Sequence, residues 1–203
     1  MKKVNKQLTH RQRQALETQE LIVNAARELF LVQGYGTTTI EAISEKAGVS
    51  ISTVYSIYKS KRGILSAIRE AWHLQSTQRE IYLRAIEETE PEKKLQLAAH
   101  ATRRQWETSL EMMTIYKGAA SADSTAAEEL EAAQIGRRKA LQEFVQSIVL
   151  PPSLTLDRAT AIYLALTRPE LYDELVNVAG WNPEDYETWL AEILKRQFLA
   201  NHA

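Results

Sequence analysis

Residues 40–57 set small aliphatics, one glycine and several hydroxyls at offsets that bear on chemistry. Ile43 and Ala47 precede Gly48, Val49 follows it, and Val54 and Ile57 recur at helical spacing. That order suits two short helices crossing steeply over a tight turn. The turn needs a glycine, and the crossing needs small or aliphatic contacts. The other side of the second helix then shows Ser52, Thr53, Ser56 and Lys59. Such groups, together with helix N-terminal amides, bond phosphates and base edges, and a helix of this kind enters a major groove about 12 Å wide. Ser44 stands four residues before Gly48, where such units usually carry Ala; it is nearly as small, so the crossing is expected to survive. Two short helices packed plainly in a bundle would show much the same pattern.

Other chemistry is thinly represented. Cys is absent, which excludes a disulfide framework, a thiolate zinc site and a Cys nucleophile. His73 and His100 with nearby Glu residues are the candidates for a metal or acid–base pair. Glu70 stands three before His73, but no second copy and no HExxH pattern occurs. No catalytic residue, metal ligand or cofactor is assigned, and an all-α enzyme stays only as an alternative.

The elements that must position these groups read as helices. Gly 7 and Pro 5 make roughly 6 % of 203 residues, about half the usual share, so a turn-rich all-β chain is disfavoured. The net charge of −1 hides an asymmetry: residues 1–65 hold 10 Lys/Arg against 5 Asp/Glu, and residues 66–203 hold 15 against 21. A basic first third suits a polyanionic partner, and scatter in surface charge gives the same numbers. The basic start lacks an apolar run, so no secretory signal is expected. The longest uncharged stretch, Phe144 to Leu156, contains Pro151 and Pro152, so no membrane span is expected.

Apolar residues recur at helical spacing almost throughout. Ile22, Ala25, Ala26, Leu29 and Phe30 form a stripe ended by Gly34, and Thr39 is a good N-cap for the next helix. Ser60 looks like the cap of a long helix from Lys61 to about Glu88. Further stripes run to Phe198, with breaks at Pro91, Ser121–Ser124, Pro151, Pro169 and Pro183. The expected fold is all-α with about nine or ten helices: a three-helix head over residues 1–65, joined by a long helix to a bundle over residues 66–203. Residues 1–8 are expected to be a solvated, disordered arm; the alternative is an arm (Lys2, Lys3, Lys6, Arg11, Arg13) lying along a groove.

The N-terminal run resembles the TetR family of bacterial transcriptional regulators over roughly residues 20–65. The residues that carry the likeness are Phe30, Gly34, Tyr35, Thr38, Thr39 and Ile40, then Ala47, Gly48, Val49 and Ser50, then Thr53, Val54 and Tyr55, then Lys59, Ser60, Lys61, Ile64 and Leu65. Ala165, Pro169, Tyr172, Gly180, Trp181, Tyr186, Trp189 and Leu190 are similar to the C-terminal end of many actinobacterial-type members. The resemblance implies a cytoplasmic homodimer that binds a double-stranded operator and is released by a small-molecule effector, most simply a repressor. A helical interaction protein that has lost DNA affinity is the other reading.

Carried onto this chain, the family roles give Thr38 and Thr39 to capping and phosphate, and Ser50, Ile51, Ser52 and Thr53 to the start of the recognition helix. Tyr55 and Ser56 fall to the backbone or a base edge, and Lys59 and Lys61 to phosphate. Ile51 replaces a frequent polar residue, Ile57 replaces the first of an aromatic pair, and the helix has no Arg, Asn or Gln. Readout by shape and thymine methyls is therefore expected. Candidate effector contacts are Trp72, Tyr82, His100, Trp106, Met112, Met113 and Tyr116, each of which would serve equally as core. Pairing of subunits is expected through Ala159, Ile162, Tyr163, Leu166, Tyr186, Trp189, Leu190, Ile193 and Phe198, unless these are buried within one subunit.

Overall fold

The computed structural model describes residues 9–75 and 78–199. Their helices are α1 (His10–Gln33), α2 (Ile40–Ala47), α3 (Ile51–Tyr58), α4 (Lys61–Gln75), α5 (Gln78–Glu87), α6 (Pro91–Ala120), α7 (Ser124–Gln146), α8 (Leu156–Leu166), α9 (Pro169–Tyr172) and α10 (Pro183–Phe198). A π-helical turn (Asp173–Val178) follows α9, and no strand occurs among the described residues. The all-α expectation is met. The stretch expected as one helix from Lys61 to Glu88 is α4 and α5, on either side of residues 76–77. Lys2, Lys3 and Lys6 lie outside the described residues, while Arg11 and Arg13 sit exposed in the first turn of α1.

The chain forms two compact units. The first runs to Leu74 and also includes Met112–Ala127; the second holds Gln75–Glu111 and the residues from Glu128 on. The expected division at residue 65 thus leaves out a returning segment. That segment joins the head through Asp123. Its carboxylate caps α7 by accepting the amides of Thr125 (3.0 Å) and Ala126 (3.2 Å). It also takes a two-pronged bond from Arg62 (both 3.2 Å) and the Tyr35 hydroxyl (3.4 Å).

In the first unit, Ile22, Ala26 and Phe30 of α1, Ile43 of α2, Val54 of α3 and Ile64, Leu65 and Ile68 of α4 make the core. Gly48 takes a left-handed conformation (φ 67°) that lets α2 stop and α3 start, and its amide and that of Val49 return to carbonyls of α2. Ser44 is buried and satisfies itself on the Glu41 carbonyl (2.9 Å), so it replaces an Ala at the crossing without an orphan hydroxyl. Gly63 is required by a close approach: a Cβ there would sit 2.0 Å from the Tyr58 carbonyl oxygen. In the second unit, Trp106, Phe144, Tyr163, Tyr186, Leu190 and Phe198 form the buried centre.

Two outcomes follow. Gly63→Ala forces α3 and α4 apart and is expected to destabilise the protein by about 2 kcal/mol or more, read by urea unfolding. For Asp123, desolvation opposes charge, but the Ala126 amide and Arg62 outweigh it and hold the carboxyl below its ordinary range. A lowered folded pKa means the contribution is whole at neutral pH and lost as pH falls through that value. The gap in Tm between wild type and Asp123→Asn should therefore be open at pH 7 and close in acid.

Candidate nucleic-acid interface

α3 is presented by its neighbours rather than by its own length, since a free eight-residue helix is unstable in water. Val54 anchors it in the core, and the Tyr58 hydroxyl donates to the Gln19 carbonyl of α1 (3.2 Å). Ser50 caps it by accepting the Thr53 amide (3.1 Å), and its hydroxyl also meets those of Ser52 and Thr53 (2.8 Å each). Ser50, Ser52 and Ser56 are exposed, Thr53 is half-buried, and Ile51 and Tyr55 stand out at 41 % and 47 % exposure. Thr39, also exposed, caps α2 through the Ala42 amide (3.2 Å). The exposed groups are therefore two capped helix N-termini, a hydroxyl cluster, an aliphatic side chain and a phenol. The N-termini are electropositive without any charged side chain.

Two of the expected phosphate contacts are corrected. Thr38 is 1 % exposed; its hydroxyl donates to the Gly34 carbonyl (2.7 Å) and accepts from Gln33 (3.2 Å), so it holds the α1–α2 loop. Lys61 turns inward. Its ammonium donates to the carbonyls of Tyr35 (2.5 Å), Thr38 (2.8 Å) and Gly36 (3.3 Å) and lies 4.4 Å from the Tyr35 ring centroid. Three protons meet three carbonyls, which leaves none for DNA. Desolvation lowers its pKa, partly offset by Asp123. Lys59 remains exposed, in a left-handed conformation (φ 64°), with its ammonium resting on the Ser56 carbonyl (2.8 Å). The inward role of Lys61 had no sequence signal, but Gly63 in the first turn of α4 was a sign of close packing there.

The effector candidates divide. Trp72, Met112 and Met113 are half-buried in the first unit, where Tyr116 is core. Tyr82, His100 and Trp106 belong to the second. There His100 bonds Glu187 (2.9 Å), which also takes Arg103 (2.5 Å), and Trp106 donates to the Thr167 carbonyl (3.1 Å). A cavity of about 300 Å³ in the second unit is lined by Ile86, Lys94, Ser147 and Val149, among others, and by none of the seven candidates. The buried Lys94 caps two helix ends there, donating to the Ile86 and Ser147 carbonyls and the Ser147 hydroxyl. The side chain of His73 lies outside the described ones, and no cluster of metal-binding side chains occurs among the described residues.

Of the expected pairing residues, Ala159, Tyr163, Tyr186, Leu190 and Phe198 are covered within a single chain. They are core, because the stripe on each helix faces inward. Ile162, Leu166, Trp189 and Ile193 are only half-buried.

Residues 22–68 match the family described as bacterial regulatory proteins, tetR family. The uncharacterized HTH-type transcriptional regulator YvkB of Bacillus subtilis is 39 % identical over 51 residues, 25 % of this chain and 27 % of that protein. The HTH-type transcriptional regulator SrpR of Pseudomonas putida is 38 % identical over 55 residues, 27 % of this chain and 26 % of that protein. The similarity thus spans about a quarter of each of these two relatives. Solved structures share the fold over nearly the whole chain. NalD of Pseudomonas aeruginosa, a secondary repressor of the MexAB-OprM multidrug efflux pump, superposes with a TM-score of 0.66 at 20 % identity, over 93 % of this chain and 99 % of that one. FadR of Bacillus subtilis, solved with stearoyl-CoA, gives 0.60 at 16 % identity, over 86 % and 96 %. Residues 22–68 thus carry the sequence pattern of the tetR family of bacterial regulatory proteins, and the chain as a whole shares its fold with these solved structures.

Proposed function

We propose that the protein is a DNA-binding transcriptional regulator, acting as a dimer, whose second unit takes a small-molecule effector that releases it from its operator. The observation that carries this is the exposed start of α3, with the cap Ser50 and Ile51 and Ser52 outward and Thr53 half-buried, while Val54 pins the helix to the core. Such a helix docks in a major groove with its N-terminal residues at base edges. Thr39 and the α2 amides face phosphate in this reading, and Lys59 supplies the cation. That NalD is a repressor and that FadR was solved with an acyl-CoA supports repression and an effector. Pairing uses the half-buried Ile162, Leu166, Trp189 and Ile193. No described helix is long and apolar enough to cross a membrane, and the protein works in the cytoplasm, where its DNA is. No catalysis is assigned.

The test is a mobility shift with the DNA upstream of the protein's own gene, across a salt series. Wild type should bind specifically, with affinity falling steeply as salt rises. Lys59→Ala should weaken binding to all sequences and reduce the log–log salt slope by about 1, while Thr53→Ala should change which sequence is preferred. Lys61→Met should act differently, lowering stability by about 2 kcal/mol because three carbonyls lose a charged donor, with an unchanged salt slope for the folded fraction. Absence of any duplex binding at low salt overturns the reading and leaves an interaction module.

A further inference from the structure

The positive charge of the head does not lie where its core does. Residues 17–65 hold five Lys/Arg and five Asp/Glu. The net +5 of residues 1–65 therefore belongs to residues 1–16, which hold Lys2, Lys3, Lys6, Arg11 and Arg13 and no acid. Three of the five later cations are also taken by the fold. Lys46 pairs with Glu28 (2.7 Å), Arg62 with Asp123 (3.2 Å), and Lys61 turns to the loop carbonyls. Proteins grip duplex DNA chiefly by neutralising phosphates with Lys and Arg. Lys59 at the end of α3 is a thin source of that charge.

Arg11 and Arg13 stand on a part of α1 that the core does not use. From Thr9 to Leu21 every residue is exposed except the half-buried Thr18, and burial starts at Ile22. About three turns of helix therefore run free. They hold their shape locally. The Thr9 hydroxyl accepts the Gln12 amide (3.2 Å), the Gln12 side chain accepts the Thr9 amide (2.9 Å), and Arg, Gln, Ala and Leu are good helix formers. The charges run against that stability. A helix start favours acids and disfavours cations, yet this first turn carries His10, Arg11 and Arg13, and the first carboxylate is Glu17. Helix stability alone would favour Glu at these places. The free segment adjoins α3, because the Tyr58 hydroxyl donates to the Gln19 carbonyl (3.2 Å). At 1.5 Å per residue, Arg13 and Arg11 lie about 9 and 12 Å further along the axis, on nearly opposite sides of it.

Resting on the regulator reading, we propose that the first turns of α1 are a second DNA-contacting element, with Arg11 and Arg13 gripping backbone phosphates beside the groove that α3 enters. They supply affinity that is independent of sequence, while α3 discriminates. The occupant is the operator duplex: the segment is cationic throughout its first turn, and it adjoins the end of α3 and Lys59. A guanidinium suits a phosphate because its paired donors meet two oxygens at once.

The test is fluorescence anisotropy on the full chain with two labelled duplexes, the DNA upstream of its own gene and a scrambled duplex of equal length, across a salt series. Arg11→Gln with Arg13→Gln should weaken binding to both by a similar factor, about ten-fold or more at low salt, and reduce the log–log salt slope by about 2. Arg11→Lys with Arg13→Lys should keep the slope, because the charge is retained. The glutamine pair should melt at the wild-type Tm or above it, since it removes cations from a helix start; a structural role would lower it. An unchanged slope in the glutamine pair, a loss confined to the upstream duplex, a lowered Tm, or a changed oligomeric state by light scattering overturns the inference. If wild type binds neither duplex at low salt, the regulator reading falls and this inference with it. If wild type binds and the glutamine pair keeps its slope, only this inference falls.

Discussion

The head depends on what holds the loop between α1 and α2. Residues 34–39 turn without a helix of their own, so the carbonyls of Tyr35, Gly36 and Thr38 have no neighbouring amide to accept from in the usual way. The ammonium of Lys61 stands among all three, over the Tyr35 ring. That places the first turn of α4 against the start of α2. Gly63, one turn in, lets the Tyr58 carbonyl approach as closely as it does. The position of α3 follows from these two contacts as much as from its single buried anchor, Val54.

Adjacent cations at the start of α4 are thereby put to different uses. Lys61 points into the loop, while Arg62 meets Asp123 with both prongs. Asp123 serves α7 as its cap at the same time. One carboxylate thus fixes a helix start and ties it to the head, which is why residues 112–127 count with the head and not with the rest of α6 and α7. A charge count of the first 65 residues treats these cations as surface potential. Two of the three basic residues between Lys59 and Arg62 are instead bound internally, so the electrostatic term on offer to DNA is smaller than the net +5 of that segment implies.

Periodicity made the helices legible and left their partners hidden. The turn at Gly48, the caps at Thr39 and Ser60, and the buried faces of α1 and α2 were all readable, because each depends on residues within a few positions of one another. The roles of Thr38 and Lys61 were not, because each depends on where a loop distant in sequence places its carbonyls. The same limit applies to the second unit. A stripe such as Ala159, Tyr163 and Leu166 states that a face is covered, but whether by the same chain or by another copy is a tertiary fact; Ala159 and Tyr163 proved to be core and Leu166 did not. Arg137 reads as one more polar residue on a polar stretch of α7, and only the placement of Trp106 and Thr167 draws it in.

The chemistry of α3 limits how it can read a base sequence. Bidentate recognition of guanine or adenine needs Arg, Asn or Gln, and none is present between Ile51 and Tyr58. The hydroxyls that remain already bond one another and the Thr53 amide, so a bond from Ser50 or Thr53 to a base edge must compete with one that exists in the free protein. Ile51 and Tyr55 are under no such competition. An exposed aliphatic side chain and a flat phenol gain by displacing water from a methyl group or a sugar, and neither requires a donor–acceptor match. In the proposed docking, discrimination would rest on thymine methyls and on how readily a given duplex takes the groove width that suits α3. A regulator docked in this way would tolerate operator substitutions that conserve shape, and would reject those that stiffen or widen the groove without touching a contacted base.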